Sequence, residues 1–317
     1  MKPIRDMATQ TAWRIIRTIF LAGLAFIILQ PLLFMVSASI RPVAQLYAPG
    51  VVWIPRSVTA DNYLSAMQKL KMLEPVFRNN SVVNTFLLDL VSALFQVFTT
   101  ALAGYGFARF RFRGRSLLFG IVIMSMIVPT SSIIVPSYLS LRYFDFFGLG
   151  RLAGLLLGKP ILVSLVDQPL AFYLPAILGM GIRSGLCIFI FRQFFRGMPR
   201  ELEDAASIDG AGSYGTFFRV FVPNAAPALL TTLVFSIVWY WNDYYFSAMY
   251  FPRFLTVSLA LAGFESVLWT DLSTRDPYML STMLQTGSLL SILPLLALYL
   301  VIQRRFTESI ERTGIVG

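Results

Sequence analysis

The apolar positions of this chain gather into six long blocks separated by shorter polar stretches, rather than into the narrow stripes of water-soluble helices. Each block matches or exceeds the roughly 20 residues that an α-helix needs to cross a hydrocarbon core of ~30 Å. The pattern predicts spans at about 15–39, 81–107, 117–141, 170–195, 225–251 and 279–302. The expected fold is therefore all-α and integral to a membrane, with six transmembrane helices. A short N-terminal segment (1–14) precedes the membrane body (15–302), and a tail (303–317) follows it. No internal repeat and no low-complexity tract interrupts the pattern.

Some blocks carry breaks. Pro129 and Pro136 fall in the third, and "GMGIRSG" at 179–185 falls in the fourth. Between the first two blocks, "RPVAQLYAPGVVWIPRSVTADNYLSAMQKL" is Pro-rich and then amphipathic, with Asp61 placed to cap a helix. Basic residues before the first block suggest a signal peptide, but the apolar run is longer than a signal core and five more blocks follow. The expectation is a retained first span.

Composition agrees with another solvent than water. Of 317 residues, 56% are hydrophobic and only 13% charged, against roughly a quarter charged in a soluble domain, and the mean hydropathy is +0.70. There is no histidine and one cysteine, Cys187, which disfavours a disulfide scaffold, a zinc site and histidine-based catalysis together. The formal charge of +10 would suggest nucleic acid in a soluble chain. Its distribution points elsewhere: fifteen of the 26 basic residues cluster before the first block, between the second and third, between the fourth and fifth, and after the last. By the rule that short basic loops stay inside the cell, both termini are expected to be cytoplasmic.

One stretch reads like soluble protein: "ELEDAASIDGAGSYGTFFRVFVP" at 201–223, within a loop of about 196–223 between the fourth and fifth spans. Pro199 suits the start of a helix, and Glu201, Glu203 and Asp204 place negative charge near its N-terminus, where the helix dipole favours it. Ala205 and Ala206 leave a bare face for close approach. Gly210 and Gly212 end this helix, Ser213 is placed to cap the next, and Pro223 marks its far boundary. A well-capped connecting loop explains these residues equally well by composition alone.

The same residues carry a resemblance. Asp204-Ala205-Ala206, three residues, Gly210, nine residues, then Val220-Phe221-Val222-Pro223 is similar to the Glu-Ala-Ala loop of importer permeases of the ATP-binding-cassette (ABC) class. Asp stands for Glu, and Val stands for Ile and for Leu. The approach "FIFRQFFRGMPRELEDAASIDGA", the word "WYWNDYYF" and the ending "QRRFTESIERTGIVG" resemble the carbohydrate-importer branch that includes maltose-type permeases. The stretch 145–168 departs from shorter members of that branch and reads as an insertion.

The resemblance implies a coupling helix, formed here by Glu203, Asp204, Ala205, Ala206, Asp209 and Gly210, that docks in a groove of a cytoplasmic ATPase subunit. It leaves open whether Glu203 or Asp204 makes the acidic contact. It also implies two ABC ATPase subunits, a second permease subunit, usually a different chain, and an extracytoplasmic solute-binding protein that delivers a saccharide. The chain itself would hold no cofactor; ATP and Mg would belong to the ATPases. In keeping with this, the nearest echo of a phosphate-binding loop, "GLLLGKP", has the wrong spacing and a proline where the hydroxyl belongs. The C-terminal tail would reach towards the ATPase interface, or simply fray.

Candidates for the substrate path are Arg183, a charge within an apolar run, and Tyr240, Trp241, Asn242, Asp243 and Tyr244 beside Trp239 and Tyr245 in the fifth block. Aromatic faces suit sugar rings, and Tyr and Asn suit hydroxyls. The plain alternatives are a buried ion pair or snorkelling side chain for Arg183, ordinary packed kinks for the Pro and Gly breaks, and an interfacial aromatic belt for the cluster. An ion-coupled transporter would draw on Asp89 and Asp243, the obvious acidic residues inside spans. A membrane enzyme has almost no catalytic residues to build with.

Overall fold

The computed structural model describes residues 2–47, 53–75, 79–271 and 276–314. Among them the secondary structure is helical apart from one isolated antiparallel bridge, Phe144 to Val163. In chain order the helices are α1 (Lys2–Ser39), α2 (Asp61–Lys69), α3 (Ser81–Arg109), α4 (Arg115–Ser125) and α5 (Thr130–Arg142). There follow α6 (Leu149–Leu157), α7 (Leu170–Ile177), α8 (Ser184–Gly197) and α9 (Glu201–Ile208). Next come α10 (Ser213–Thr216), a π turn (Phe217–Phe221), α11 (Val222–Asn224), α12 (Ala226–Trp241) and α13 (Tyr245–Tyr250). Last are α14 (Val257–Ala262), α15 (Phe264–Thr270) and α16 (Pro277–Gly314).

Three stretches are long and apolar enough to cross a membrane unaided: Gln10–Ser39, Ser81–Arg109 and Pro277–Gln303. Two bent pairs raise the number to five if each is one span. These are α4 with α5, meeting at 105°, and Ser213–Asn224 with Ala226–Trp241, meeting at 79°. The α4–α5 bend falls where Pro129, in an extended conformation, starts the second helix. The fourth apolar block forms two helices, α7 and α8, separated by residues 178–183, and the fifth stops being one helix at Trp241.

The chain divides into two compact units, Met1–Leu70 with Gly263–Pro294, and Lys71–Ala262 with Leu295–Gly317. In the first, the Asn62 amide donates to the carbonyls of Ser39 (3.0 Å) and Arg41 (2.8 Å), tying the end of α1 to α2. Asp61 does not cap α2 as expected: Ala60 occupies the cap position and Asp61 is the first helical residue. Its carboxylate accepts instead from the Thr59 hydroxyl at 2.7 Å.

In the second unit α3 packs against α7, α8 and α12. Its buried face repeats at helical spacing through Leu88, Ser92, Gln96, Thr100 and Gly104, whereas Phe86, Leu94 and Phe98 point outward. Small and polar residues inside with large apolar ones outside is the arrangement expected when lipid is the outer solvent. At Gly104 the approach to α8 is so close that a Cβ would lie 2.5 Å from Phe191 Cβ and 2.9 Å from the Arg192 nitrogen.

The break in the fourth block is stitched to α3. Thr99 Oγ1 donates to the Ala176 carbonyl at 2.8 Å and Gln96 Nε2 to the Ile182 carbonyl at 2.9 Å. The Gln96 bond serves a backbone acceptor that the interrupted helix leaves open in an apolar setting, while the Ala176 carbonyl also accepts the Gly179 amide at 3.1 Å. The expected insertion closes on itself around α6: the Asp145 carboxylate accepts the Gly148 amide at 3.0 Å and faces Arg151 at 3.3 Å.

Candidate functional site

The acidic, alanine-rich stretch forms α9. Met198 is extended, Pro199 follows, Arg200 stands at the cap position, and Glu201, Glu203 and Asp204 occupy the first turn. The helix ends where the amides of Gly210 and Ala211 donate to the carbonyls of Ser207 (3.0 Å) and Ala206 (2.9 Å). Gly210 has φ of 75° and open space around it, so conformation and not room demands glycine there. Ser213 does not cap the next helix: Gly212, extended, holds the cap position, and Ser213 is the first helical residue. Pro223 falls inside the short α11, next to the 79° bend.

The π turn against which α9 lies belongs to an aromatic base. Tyr105, Phe191, Phe195, Phe217 and Phe221 are buried together, with ring centroids of Tyr105 and Phe221 4.9 Å apart and of Tyr105 and Phe217 5.0 Å apart. Fully burying one such side chain contributes about 1.5–3 kcal/mol. The base therefore greatly outweighs what the short α9 could supply alone.

Arg109, the last residue of α3, joins this base to α9. Its Nη2 donates to the Phe195 carbonyl at 2.8 Å and to the Met198 carbonyl at 2.6 Å. Its Nη1 lies 3.6 Å from Glu203 Oε2, and the guanidinium covers the Phe221 ring at 4.8 Å. One side chain thus holds the C-terminal end of α8, the first turn of α9 and the turn beyond it.

The six residues expected in the loop helix part into two groups. Glu203 turns inward to Arg109 and Ala206 is buried, while Asp204, Ala205, Asp209 and Gly210 are exposed. Of the two acidic residues left open by the sequence, Asp204 is exposed, and Glu203, about one-third exposed, faces Arg109. The sequence does not single out Arg109, which counts there only among the basic residues between the second and third blocks, nor Ile208 and Tyr214, which are 87% and 74% exposed. An isoleucine and a tyrosine in an otherwise polar loop were the available signal.

The second candidate group is not gathered into one site. Arg183 is exposed in the break before α8, in a left-handed conformation, with its guanidinium 5.2 Å from the Trp239 ring centroid. No ion pair to it is present among the described residues. Tyr240 and Trp241 are buried, and the Tyr240 hydroxyl donates to Gln96 Oε1 at 2.7 Å. The Asn242 amide donates to the Val238 carbonyl of its own helix at 2.8 Å. Asp243 accepts from the Ser247 amide (2.8 Å) and hydroxyl (3.0 Å), fixing the start of α13. Tyr244 is exposed, edge-on to Tyr245 at 5.8 Å. Asp89 is buried on α3, and neither carboxylate oxygen has a hydrogen-bond partner among the described residues.

An apolar helical body with an inward polar stripe, carrying one acidic helix on a rigid base, has the makings of a membrane transport subunit. Residues 97–310 match the family described as "Binding-protein-dependent transport system inner membrane component", and the chain belongs to that family. It is an inner-membrane component of such a transport system.

Over 304 residues it is 28% identical to the arabinooligosaccharides transport system permease protein AraQ of Halalkalibacterium halodurans, covering 95% of each chain. Over 313 residues it is 26% identical to the trehalose transport system permease protein SugB of Mycobacterium tuberculosis, covering 97% of this chain and 98% of that one. Among solved structures, its fold is similar to that of a bacterial ABC transporter involved in the import of the acidic polysaccharide alginate. That match has a TM-score of 0.70 at 20% identity and covers 94% of this chain and 98% of that chain.

Proposed function

We propose that this chain is a six-span permease subunit of an ATP-driven ABC importer and forms part of the path of a saccharide delivered by an extracytoplasmic binding protein. The substrates for which the relatives are named, arabinooligosaccharides and trehalose, support the sugar class. The third span would be α4 with α5, the fourth α7 with α8, and the fifth would begin with α12. Clustered arginines at 109–115 and 192–200 support a cytoplasmic position for both termini and for α9.

The observation that carries this reading is the mounting of α9. Asp204, Ala205 and Ile208 stand open at its surface while Glu203 and Arg109 lock its first turn to α3 and α8. In the mechanism, an ATPase subunit grips the open face, with Asp204 meeting a basic group and the alanine allowing close contact. Closure of two ATPases around ATP then pulls on α9. The aromatic base transmits the pull into the helices as a rigid piece, shifting the population between inward-open and outward-open arrangements. ATP and its Mg remain on the ATPase subunits.

The test is transport in proteoliposomes holding this chain with its permease partner, ATPases and binding protein. Saccharide uptake that needs ATP and survives collapse of proton and sodium gradients is expected. Uptake that proceeds on an ion gradient without ATP would replace this reading with the ion-coupled one.

A further inference from the structure

The turn that joins α3 to α4 carries a second charged feature that coupling does not use. Beside it lies a cavity of about 700 Å³ whose polar wall includes Arg111, Arg115 and Arg192 and whose apolar wall includes Phe112, Leu117 and Phe119. The Arg192 guanidinium stacks on the Phe119 ring at 3.9 Å, and its Nε is buried without a hydrogen-bond partner. Arg115 spends one donor on the Phe110 carbonyl at 3.0 Å. Arg196, one turn beyond Arg192, and Arg115 lie near enough to Arg192 to repel it electrostatically. Among the described residues no carboxylate pairs with any of these arginines.

Like charges gathered around one open cavity repel one another, and a bound anion relieves that repulsion. Guanidinium groups match phosphate oxygens in geometry and charge. From the rim of the cavity α4 continues with Leu117, Leu118, Ile121 and Met124 exposed, at 71%, 47%, 55% and 67%. A ligand satisfying both parts has a phosphate at one end and hydrocarbon at the other.

We propose that this cavity is a binding site for the phosphodiester headgroup of an anionic phospholipid, whose acyl chains lie along α4. Arg192 supplies the inner donor, with its stem fixed by Phe119, and Arg111 and Arg115 close over the phosphate from the turn. The site binds more than the general basic surface of the inner loops would, because the left-handed Gly114 at the head of α4 turns the chain so that Arg111 and Arg115 flank one cavity, while Arg113 lies outside its lining.

Free phosphate shares the headgroup chemistry, so the experiment separates the two sources. The full chain, purified with its partner subunits, is placed in phosphatidylcholine nanodiscs with and without phosphatidylglycerol, and in phosphatidylcholine nanodiscs with added inorganic phosphate. Retained phosphatidylglycerol is counted by native mass spectrometry, and the unfolding midpoint is followed in parallel. Phosphatidylglycerol is expected to be retained and to raise the midpoint, with inorganic phosphate inactive.

Arg115→Gln and Arg192→Gln should each weaken retention by more than the roughly fivefold that any arginine near an anionic lipid surface supplies, while Arg113→Gln, with the same loss of charge from the same turn, should weaken it by no more than that. Equal weakening by Arg113→Gln would reduce the site to diffuse surface charge. Stabilisation by inorganic phosphate equal to that by phosphatidylglycerol would make it a soluble-anion site. If Arg192→Gln fails to assemble, the comparison of Arg115→Gln with Arg113→Gln decides alone.

Discussion

Arg109 Nη1 faces Glu203 Oε2 at 3.6 Å, while Nη2 of the same guanidinium holds the carbonyls of Phe195 and Met198. The two residues are not equivalent partners. Glu203 is about one-third exposed, whereas Arg109 is 6% exposed, so the ion pair contributes at most about 1 kcal/mol. Removing Arg109 also takes the side-chain donor from the Met198 carbonyl, at roughly 1–3 kcal/mol, and one of two donors from the Phe195 carbonyl, which keeps the Met198 amide at 3.3 Å. Most of the joint therefore resides in Arg109.

That asymmetry predicts Arg109→Gln to lower the unfolding midpoint and to uncouple ATP hydrolysis from uptake, and Glu203→Gln to do either only slightly. Midpoints and uptake per ATP, measured on the assembled transporter for both variants, check the order. Equal effects, or a larger one from Glu203→Gln, would contradict it.

At Gly210 the constraint is the backbone. With φ of 75° and nothing within 4 Å of a built Cβ, an ordinary side chain meets no neighbour but costs roughly 1–2 kcal/mol in that conformation, and a β-branched one more. Gly210→Val is expected to abolish uptake at unchanged membrane content. Gly210→Asn, which tolerates the left-handed region, is expected to retain much of it. Equal activity of the two variants would remove the conformational argument.

Gln96 ties α3 to the break before α8 and to Tyr240. Gln96→Leu strands the Ile182 carbonyl and removes the acceptor of the Tyr240 hydroxyl, which keeps a contact to the Ile182 backbone, and should destabilise the chain by about 1–3 kcal/mol. Adding Tyr240→Phe should recover part of that loss, since removing both partners of a buried bond costs less than removing one. A double variant less stable than Gln96→Leu would show that the hydroxyl has another role.

Arg183 is exposed and stacked on Trp239, while Asn242 bonds only its own helix among the contacts described above. Arg183→Gln is expected to change the rate or sugar preference of uptake with assembly intact, and Asn242→Ala to change neither by more than a small factor. Concentration-dependent uptake of a set of saccharides distinguishes them. No change with Arg183→Gln would remove it from the substrate path.

The apolar blocks were legible because lipid demands long apolar runs, and the breaks at Pro129 and at 178–183 were legible because Pro and Gly interrupt helices in known ways, although Pro136, also expected to break the third block, lies inside α5 without ending it. The inward stripe of α3 was not. Ser92, Gln96 and Thr100 look like dilution of an apolar run until the partner helices are placed around them. Caps moved by one residue at Asp61 and Ser213 because the cap is set by where the chain enters the helix, at Ala60 and Gly212. In the candidate loop the helix and its glycine end could be read from spacing. The inward turn of Glu203 could not, since it depends on Arg109, some 90 residues earlier in the chain.

The proposed transport cycle turns on an ATPase docking at the open face of α9. The most direct measurement is a mild-detergent pull-down of the tagged chain from native membranes beside its Asp204→Lys variant, with every co-purifying protein identified. An ABC ATPase and a second permease are expected with the parent chain, and the permease without the ATPase for the variant. Recovery of no ATPase with the parent chain even after cross-linking, or equal recovery with both, would contradict that docking.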